Sequence, residues 1–421
     1  SNAFLERFPG IEVPARKLLL EEVLESPKLS QKLMALLLAW TLPFWLLKKA
    51  LHARSSTTED LATVIFSSGS TGDPKGVMLT HHNILANIRQ VTQVFMLDGH
   101  DKVLGILPFF HSFGFTVTLW LPAVHRIGVV FHPNPLDAKS ISELVSRYRV
   151  TFLIATPTFL QAYMRRCSPE HFGSLQYVLV GAEKLPERVA LAFEDLFGIR
   201  PLEGYGCTEC SPVVAVNGRD FRAPGFRQIG ARRGTIGHPL PGVIVRIVDP
   251  ETMQPLPPNQ PGMLLVKGPN VMKGYLGRPE KTAEVLNDGW YVTGDIASLE
   301  EDGFLRITDR LTRFSKIGGE MVPHIKIEEK LHELAGATEQ LFVVSAVPDE
   351  KKGERIIVLH TLPEEKLAPV LEKLGQSDLP PLWKPRGNQF YRVEALPYLG
   401  TGKLDLRALK TKAAELAATS G

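Results

Sequence analysis

An α/β fold is what this sequence predicts: a large part of doubly wound sheets with a β-rich, barrel-like subdomain, then a smaller α+β part. Three changes of texture along the 421 residues carry that expectation. From about residue 62 short apolar runs alternate with amphipathic stretches. Around residue 230 glycine, proline and short β-branched runs take over, and near Phe314 strand and helix patterns return in a new rhythm.

The stretch 61–66 reads as a buried strand that runs into a Ser/Gly/Thr loop, and 83–96 reads as a helix. Further strands are expected at 103–107, 128–132, 151–155, 177–180 and 200–203, with helical patterns at 137–149, 157–166 and 186–197 between them. Strands alternating with helices of that length predict a parallel sheet covered on both faces. The stretch 234–307 reads as antiparallel or barrel-like, with hairpin signals at Asp288-Gly289 and Asp302-Gly303. A helix at 325–334, strands at 341–347 and 356–361, and helices flanking a Gly-rich loop at 400–402 complete the expectation. The boundary falls at 309–313, giving a large domain over 1–312, with its α/β core at 61–230 and its β-rich part at 231–308, and a mobile domain over 313–421.

Hydrophobic residues make up 44% of the chain and charged ones 22%, ordinary values for a globular protein. A net charge of +3 is too small to argue for nucleic acid. Cys167, Cys207 and Cys210 are too few, and odd in number, for a disulfide framework, and a reducing compartment fits them. Cys207 and Cys210 have redox or half-zinc spacing, but no second pair completes a metal site, so they read as structural. In 33–47 only Thr41 is polar and Pro43 interrupts. That is short of the ~20 residues a membrane span needs, so a buried or docking helix is expected, with an interfacial helix edged by Lys48 and Lys49 as the other reading. The leading Ser1-Asn2-Ala3 reads as a remnant of tag removal.

The densest chemical signal is Ser67-Ser68-Gly69-Ser70-Thr71-Gly72-Asp73-Pro74-Lys75-Gly76. Small residues leave backbone N–H groups and hydroxyls free to approach phosphate oxygens, and Lys75 adds a point charge. The spacing does not match the Walker loop, which excludes a P-loop NTPase on this motif. Elsewhere Glu209 suits Mg²⁺, a hard cation that takes carboxylate and phosphate oxygens. Thr208 can donate to a phosphate, Tyr205 can stack on a base, and Asp295 can accept from both hydroxyls of a ribose.

With Pro108-Phe109-Phe110-His111, Tyr205-Gly206-Cys207-Thr208-Glu209, Tyr291-Val292-Thr293-Gly294-Asp295 and Gly400-Thr401-Gly402-Lys403 in the same order, the loop resembles the adenylate-forming superfamily of acyl-CoA synthetases, luciferases and peptide-synthetase adenylation domains. The resemblance implies ATP and Mg²⁺ as cofactors and a carboxylic acid as substrate. It puts Gly181, Ala182 and Glu183 beside the adenine, Arg310 at the ribose or phosphates, and His111 at the gate of the acyl site. It makes Lys403 the lysine that swings in to bridge carboxylate and phosphate, Arg313 the hinge, and Gly318, Gly319 and Glu320 the face presented to the thiol. Two departures stand out. Arg313 replaces the usual aspartate or lysine, and only about 60 residues precede the phosphate loop, so the first portion of the large domain is expected to be missing.

The run from Glu203 through Val214 with Asn217, and Lys316 through Pro323, most resemble the synthetase half of bifunctional acyl-[acyl-carrier-protein] synthetase/2-acylglycerophosphoethanolamine acyltransferases. That branch implies a long-chain fatty acid, acyl carrier protein as acceptor, a fused acyltransferase, and a cytoplasmic enzyme at or near the inner membrane. Arg219, Arg222, Arg227, Arg232, Arg233, Lys351 and Lys352 are the expected carrier-binding surface. A fatty acyl-CoA synthetase, with coenzyme A as acceptor, shares every catalytic motif. A nucleotide-binding but inactive interaction module is the alternative of another class.

Overall fold

Apolar runs of four residues are too short to bury themselves as helices, and here they form the middle of a parallel sheet. The computed structural model describes residues 22, 27–51, 56–67, 74–310, 313–318, 320–337, 339–349, 352–398 and 404–419. The chain divides into two units, Ser1–Thr57 and Thr58–Gly421.

In the first unit α1 (Leu29–Thr41) and α2 (Phe44–Ala50) are broken apart at Leu42-Pro43, where proline removes a backbone donor. The burial expected for 33–47 is not found. No residue of α1 is buried, and Trp40 and Phe44 are 89% and 80% exposed. Apolar residues surround this helix instead of forming one stripe, so no single face is set aside for a core. Among the described residues no helix is long and apolar enough to cross a membrane.

The second unit begins with β1 (Leu61–Ser67) and β2 (Lys75–Thr80), an antiparallel hairpin with Ser67 opposite Lys75. The strand β2 was not expected; the motif is a strand–loop–strand instead of a strand–loop–helix. Thr80 then starts α3 (His81–Phe95) with a reciprocal cap. Its hydroxyl accepts from the Asn83 N–H at 3.1 Å, and its own N–H donates to Asn83 Oδ1 at 2.9 Å.

Next come β3 (Lys102–Gly105), a π-helical segment at Gly114–Trp120, α4 (Leu121–His125), β4 (Gly128–Phe131), α5 (Ala138–Tyr148), β5 (Phe152–Ala155), α6 (Pro157–Arg166), β6 (Tyr177–Val180), α7 (Glu187–Phe197), β7 (Pro201–Gly206) and β8 (Val213–Val216). An exposed hairpin of β9 (Phe221–Ala223) and β10 (Phe226–Gln228) precedes β11 (His238–Pro239). The main sheet runs β11-β8-β7-β6-β5-β3-β4. From β4 to β7 its strands are parallel, and β8 and β11 extend it antiparallel at one edge. Successive residues face opposite cores, as the strand period of two requires. Val103, Phe152, Ile154 and Leu179 pack toward α3, whereas Leu104, Leu153, Val178 and Val180 pack toward α5, α6 and α7. The doubly wound sheet is therefore present as expected.

The β-rich stretch takes the antiparallel form. Its strands are β12 (Ile244–Val248), β13 (Gly262–Lys267), β14 (Gly274–Tyr275), then after α8 (Pro279–Val285) β15 (Leu286–Asn287), β16 (Trp290–Leu299) and β17 (Leu305–Arg310). The first expected hairpin turn is a two-residue one: Asn287 faces Trp290, and Asp288 and Gly289 both have positive φ, at 48° and 75°. β14 leaves this sheet and adds to β2. From residue 313 onward β18 (Phe314–Ile317), β19 (Glu320–Pro323), α9 (His324–Ala335), β20 (Phe342–Asp349), β21 (Gly353–His360), α10 (Glu364–Gly375), β22 (Phe390–Arg392) and α11 (Leu406–Thr419) follow. They build a five-stranded sheet with α9 and α10 over one core and α11 over the other. The Gly-rich loop expected between helices is instead closed by a β-bridge, Tyr398 to Leu404.

Candidate active site

Ligands of open α/β sheets bind beyond the carboxyl ends of the parallel strands, and the motif residues collect there. Gly181, Ala182 and Glu183 follow β6, and Tyr205 to Glu209 leave β7. Ala182 has a φ of 69°. Glu183 accepts from the Thr158 hydroxyl at 3.0 Å. Gly181 lies against Phe113, whose ring would meet an added Cβ at 3.2 Å.

Of the phosphate loop, Ser67 and Lys75 are described, whereas Ser68, Gly69, Ser70, Thr71 and Gly72 lie outside the described residues. Ser67 and Lys75 face each other across the base of the hairpin. The Ser67 hydroxyl is buried without a described partner, an unspent donor where a phosphate oxygen would fit. Lys75 Nζ stands 5.2 Å from the centre of the Tyr275 ring. The Tyr275 hydroxyl donates to Glu209 Oε1 at 3.0 Å. Sequence reading missed Tyr275; a Gly-Tyr pair ahead of Pro279-Glu280 carries no chemical signature until β14 lays it beside β2.

Glu209 is buried on a short turn whose main chain is clamped by distant amides. Asn87 of α3 takes both groups of Val213: Oδ1 accepts its N–H at 3.1 Å and Nδ2 donates to its carbonyl at 2.7 Å. Asn270 Nδ2 donates to the Cys210 carbonyl at 2.9 Å, and the Ser211 hydroxyl donates to the Asn270 carbonyl at 2.8 Å. Gly206 is required here, because a Cβ would come within 2.1 Å of the Pro212 carbonyl oxygen. Among the described residues no three His, Cys, Asp or Glu side chains group into a metal cage. A single buried carboxylate fits Mg²⁺ held mainly by substrate phosphates. Cys207 and Cys210 are free thiols, and Cys210 bonding followed by burial pushes the Cys207 thiol well up.

Beyond β7, Tyr205 donates to Asp295 Oδ2, and the Asp295 N–H donates to the Thr293 hydroxyl at 3.0 Å. Burial, and then the Asp295 charge, raise the Tyr205 phenol well above its ordinary range, so it stays a donor. Arg310 pairs its backbone with Asp295 across β16 and β17; its side chain lies outside the described residues. Ser112 Oγ and Thr208 Oγ1 are 3.2 Å apart, which brings the His111 and Thr208 segments together. His111 is half-buried, its Nδ1 accepting from the Phe113 N–H at 3.3 Å.

The residues after 313 touch this site from one side. Lys184, next to Glu183, pairs with Glu329 of α9, and Arg165 pairs with Glu339 at 3.0 Å. Tyr398, at the base of the loop that carries Lys403, is raised by burial and then by the charges of Glu328 and Glu183. Lys403 itself and Gly319 lie outside the described residues. Gly318 turns the β18–β19 hairpin with a φ of 59° and Glu320 is exposed. Two residues earlier Lys316 pairs with Glu251 at 2.8 Å, so the hairpin is tied to the β-rich sheet. Arg313 forms a buried ion pair with Glu328, which also accepts from the Val344 N–H at 2.6 Å.

Of the expected carrier-binding arginines, most have partners within the chain. Arg219 stacks on Tyr177 at 4.1 Å and donates to the Gln176 carbonyl. Arg227 pairs with Asp220 at 3.6 Å, Arg232 with Glu300 and Asp302, and Arg233 with Glu194 at 2.7 Å. Lys351 lies outside the described residues.

A model of the AMP-binding enzyme family matches residues 12–276. The chain is 34% identical over 357 residues to a long-chain-fatty-acid–CoA ligase of Bacillus subtilis strain 168, covering 83% of this chain and 61% of that protein. It is 35% identical over 298 residues to a feruloyl-CoA synthase of an Amycolatopsis species, covering 70% of this chain and 58% of that one. ATP-bound MatB from Rhodopseudomonas palustris superposes with a TM-score of 0.75 at 28% identity, covering 87% of this chain and 72% of that one. The chain thus spans about three fifths of the length of these curated relatives.

Proposed function

This chain belongs to the AMP-binding enzyme family, and on that premise we propose that it joins a long-chain fatty acid to coenzyme A in two half-reactions driven by ATP. The observation that carries the reading is one run of contacts, from Lys75 through Tyr275 to Glu209, lying beside the Tyr205–Asp295 pair.

In the first half-reaction a carboxylate oxygen attacks the α-phosphorus, and the bond to the bridging oxygen breaks as pyrophosphate leaves. Charge gathers on phosphoryl oxygens, and groups fixed there in advance lower the barrier most. Lys75, Ser67 and the loop 68–72 take the phosphates. Asp295 takes the ribose hydroxyls, Tyr205 with Gly181, Ala182 and Glu183 flanks the base, and Arg310 reaches the ribose or phosphates. Mg²⁺ on Glu209, when bound, supplies positive charge at the phosphates. Lys403 bridges carboxylate and phosphate from the domain over 313–421, and Thr208 donates to phosphate. In the second half-reaction the thiol sulfur attacks the acyl carbon, and the bond from that carbon to the phosphate oxygen breaks to release AMP. The small domain turns near Arg313, withdraws Lys403 and presents Gly318, Gly319 and Glu320, while His111 gates the acyl site.

Coenzyme A is favoured over acyl carrier protein for two reasons. The curated relatives above are named for coenzyme A, and most of the arginines that were to dock an acidic carrier already have partners inside the chain. The test is acid-dependent exchange between ATP and labelled pyrophosphate, followed by thioester formation with each thiol in parallel. Palmitate-dependent exchange and transfer to coenzyme A are expected. Lys403→Ala should slow exchange by roughly 10²–10³-fold, the scale of one lost preorganised contact, with transfer from supplied acyl-AMP nearly unchanged. No exchange with any acid would leave the inactive interaction module. Transfer to carrier protein alone would restore the carrier reading with its link to phospholipid acylation.

A further inference from the structure

Tyr275 is used by none of the steps above, yet its side chain touches both Lys75 and Glu209. It is buried at 4% exposure on β14, in register with Val77 of β2 and two positions along from Lys75. Its ring lies under the Lys75 ammonium at 5.2 Å, and its hydroxyl donates to Glu209 Oε1 at 3.0 Å. The Tyr275 N–H donates to Thr282 Oγ1 at 2.9 Å, which pins the residue to α8. One side chain therefore joins the phosphate-loop lysine and the buried carboxylate.

A carboxylate that is to hold a metal works best when a fixed donor orients it, and a lysine that is to hold phosphate works best when its stem cannot wander. Tyr275 does the first with its hydroxyl and the second with its ring face. We propose that Tyr275 is the positioning residue of the metal–triphosphate site, orienting Glu209 through the phenol and Lys75 through the ring. The two roles sit on different parts of one side chain, so they separate by substitution. Tyr275→Phe keeps the ring and removes the hydroxyl, whereas Tyr275→Leu removes both.

The inference rests on the adenylation reading, and the test reads binding without turnover. Manganese, a spin probe for magnesium, is titrated by electron paramagnetic resonance into the whole chain with a non-hydrolysable ATP analogue. Pyrophosphate affinity without metal is measured in parallel. Tyr275→Phe should weaken manganese binding about 10–100-fold, the usual cost of losing a group that orients a metal ligand. It should leave metal-free pyrophosphate affinity unchanged. Tyr275→Leu should weaken metal equally and pyrophosphate by a further ~2–5-fold, the scale of one cation–π contact. Wild-type manganese affinity in Tyr275→Phe, with an unchanged melting midpoint, overturns the inference alone. A wild-type chain that binds neither manganese nor nucleotide overturns the adenylation reading and this inference with it.

Discussion

Glu203 sits at the start of the Tyr205 segment, where its carboxylate accepts the Leu185 N–H at 3.0 Å. Burial pushes its carboxyl up to about 7, against the opposing pull of that N–H, Lys184 and Arg306. A carboxyl raised from 4.5 in the unfolded chain favours the fold below pH 4.5, and that advantage is lost as pH climbs through 7. Glu203→Gln should therefore stabilise the protein by about 2–3 kcal/mol at pH 8.5 and by nothing at pH 4. Equal shifts in thermal midpoint at both pH values would refute this account. Residues of this kind mark the limit of what sequence discloses. Lys75 and Asp295 stand out because charge beside glycine is rarely idle, and Glu209 because it ends a motif that begins with Tyr205-Gly206. Neutral Asn87, Asn270 and Tyr275 gain their roles only from partners brought in by the fold. The arginines show the converse: Arg232 finds Glu300 and Asp302, and Arg233 finds Glu194, partners the sequence alone does not assign.

Among elements, α9 has the most chemically determined setting. His332 donates from Nδ1 to the Glu328 carbonyl at 2.6 Å and accepts the Leu341 N–H on Nε2 at 2.9 Å, so the ring must be neutral. His324 bonds Ser315 at 2.7 Å, and burial followed by the charges of Arg313 and Lys410 brings it down to about 3. A histidine lowered from 6.5 stabilises the fold above that pH, and the contribution drains away as pH falls toward 3. At pH 5 the region of α9 and β20 should have lost about 2 kcal/mol through His324 relative to pH 7.5. Hydrogen exchange on those amides measures it, and His324→Gln should remove the pH dependence; an unaltered slope in the variant counts against it. Helices and central strands were legible because periods of 3.6 and two show in their apolar residues. Two-residue β14 is too short to display a period, and β2 was hidden by its glycine and lysine, read as part of the phosphate loop.

Across the whole molecule, the residues after 313 are tied to the rest by Lys184–Glu329, Arg165–Glu339 and Lys316–Glu251. These pairs are largely exposed, so each contributes about 0.2–1 kcal/mol. On the proposed reading, a domain that turns between half-reactions needs ties of that strength, since stronger ones would hold one arrangement. In the described arrangement the base of the Lys403 loop lies in the field of Glu183, and the Gly318 hairpin is held toward Glu251. Glu329→Lys should therefore slow adenylate formation by up to about 5-fold and leave thiol transfer equal or faster. Lys184→Glu combined with Glu329→Lys should recover most of the loss. Failure of the double variant to recover would show that the pair does not set the balance. The order of textures along the chain made the succession of sheets legible, whereas ties between distant surfaces leave no local pattern to read.

The bond between Tyr205 and Asp295 has a consequence for affinity. On the proposed reading, the carboxylate that takes the ribose hydroxyls is already satisfied by a phenol, so an arriving nucleotide trades one partner for another instead of filling a vacancy. Such an exchange yields little net free energy at that point, since only the difference between the two bonds counts. On the proposed reading it also works in reverse. When AMP leaves, the phenol swings back and the carboxylate is never left bare, so the departing product is met by a competitor built into the wall of its own site.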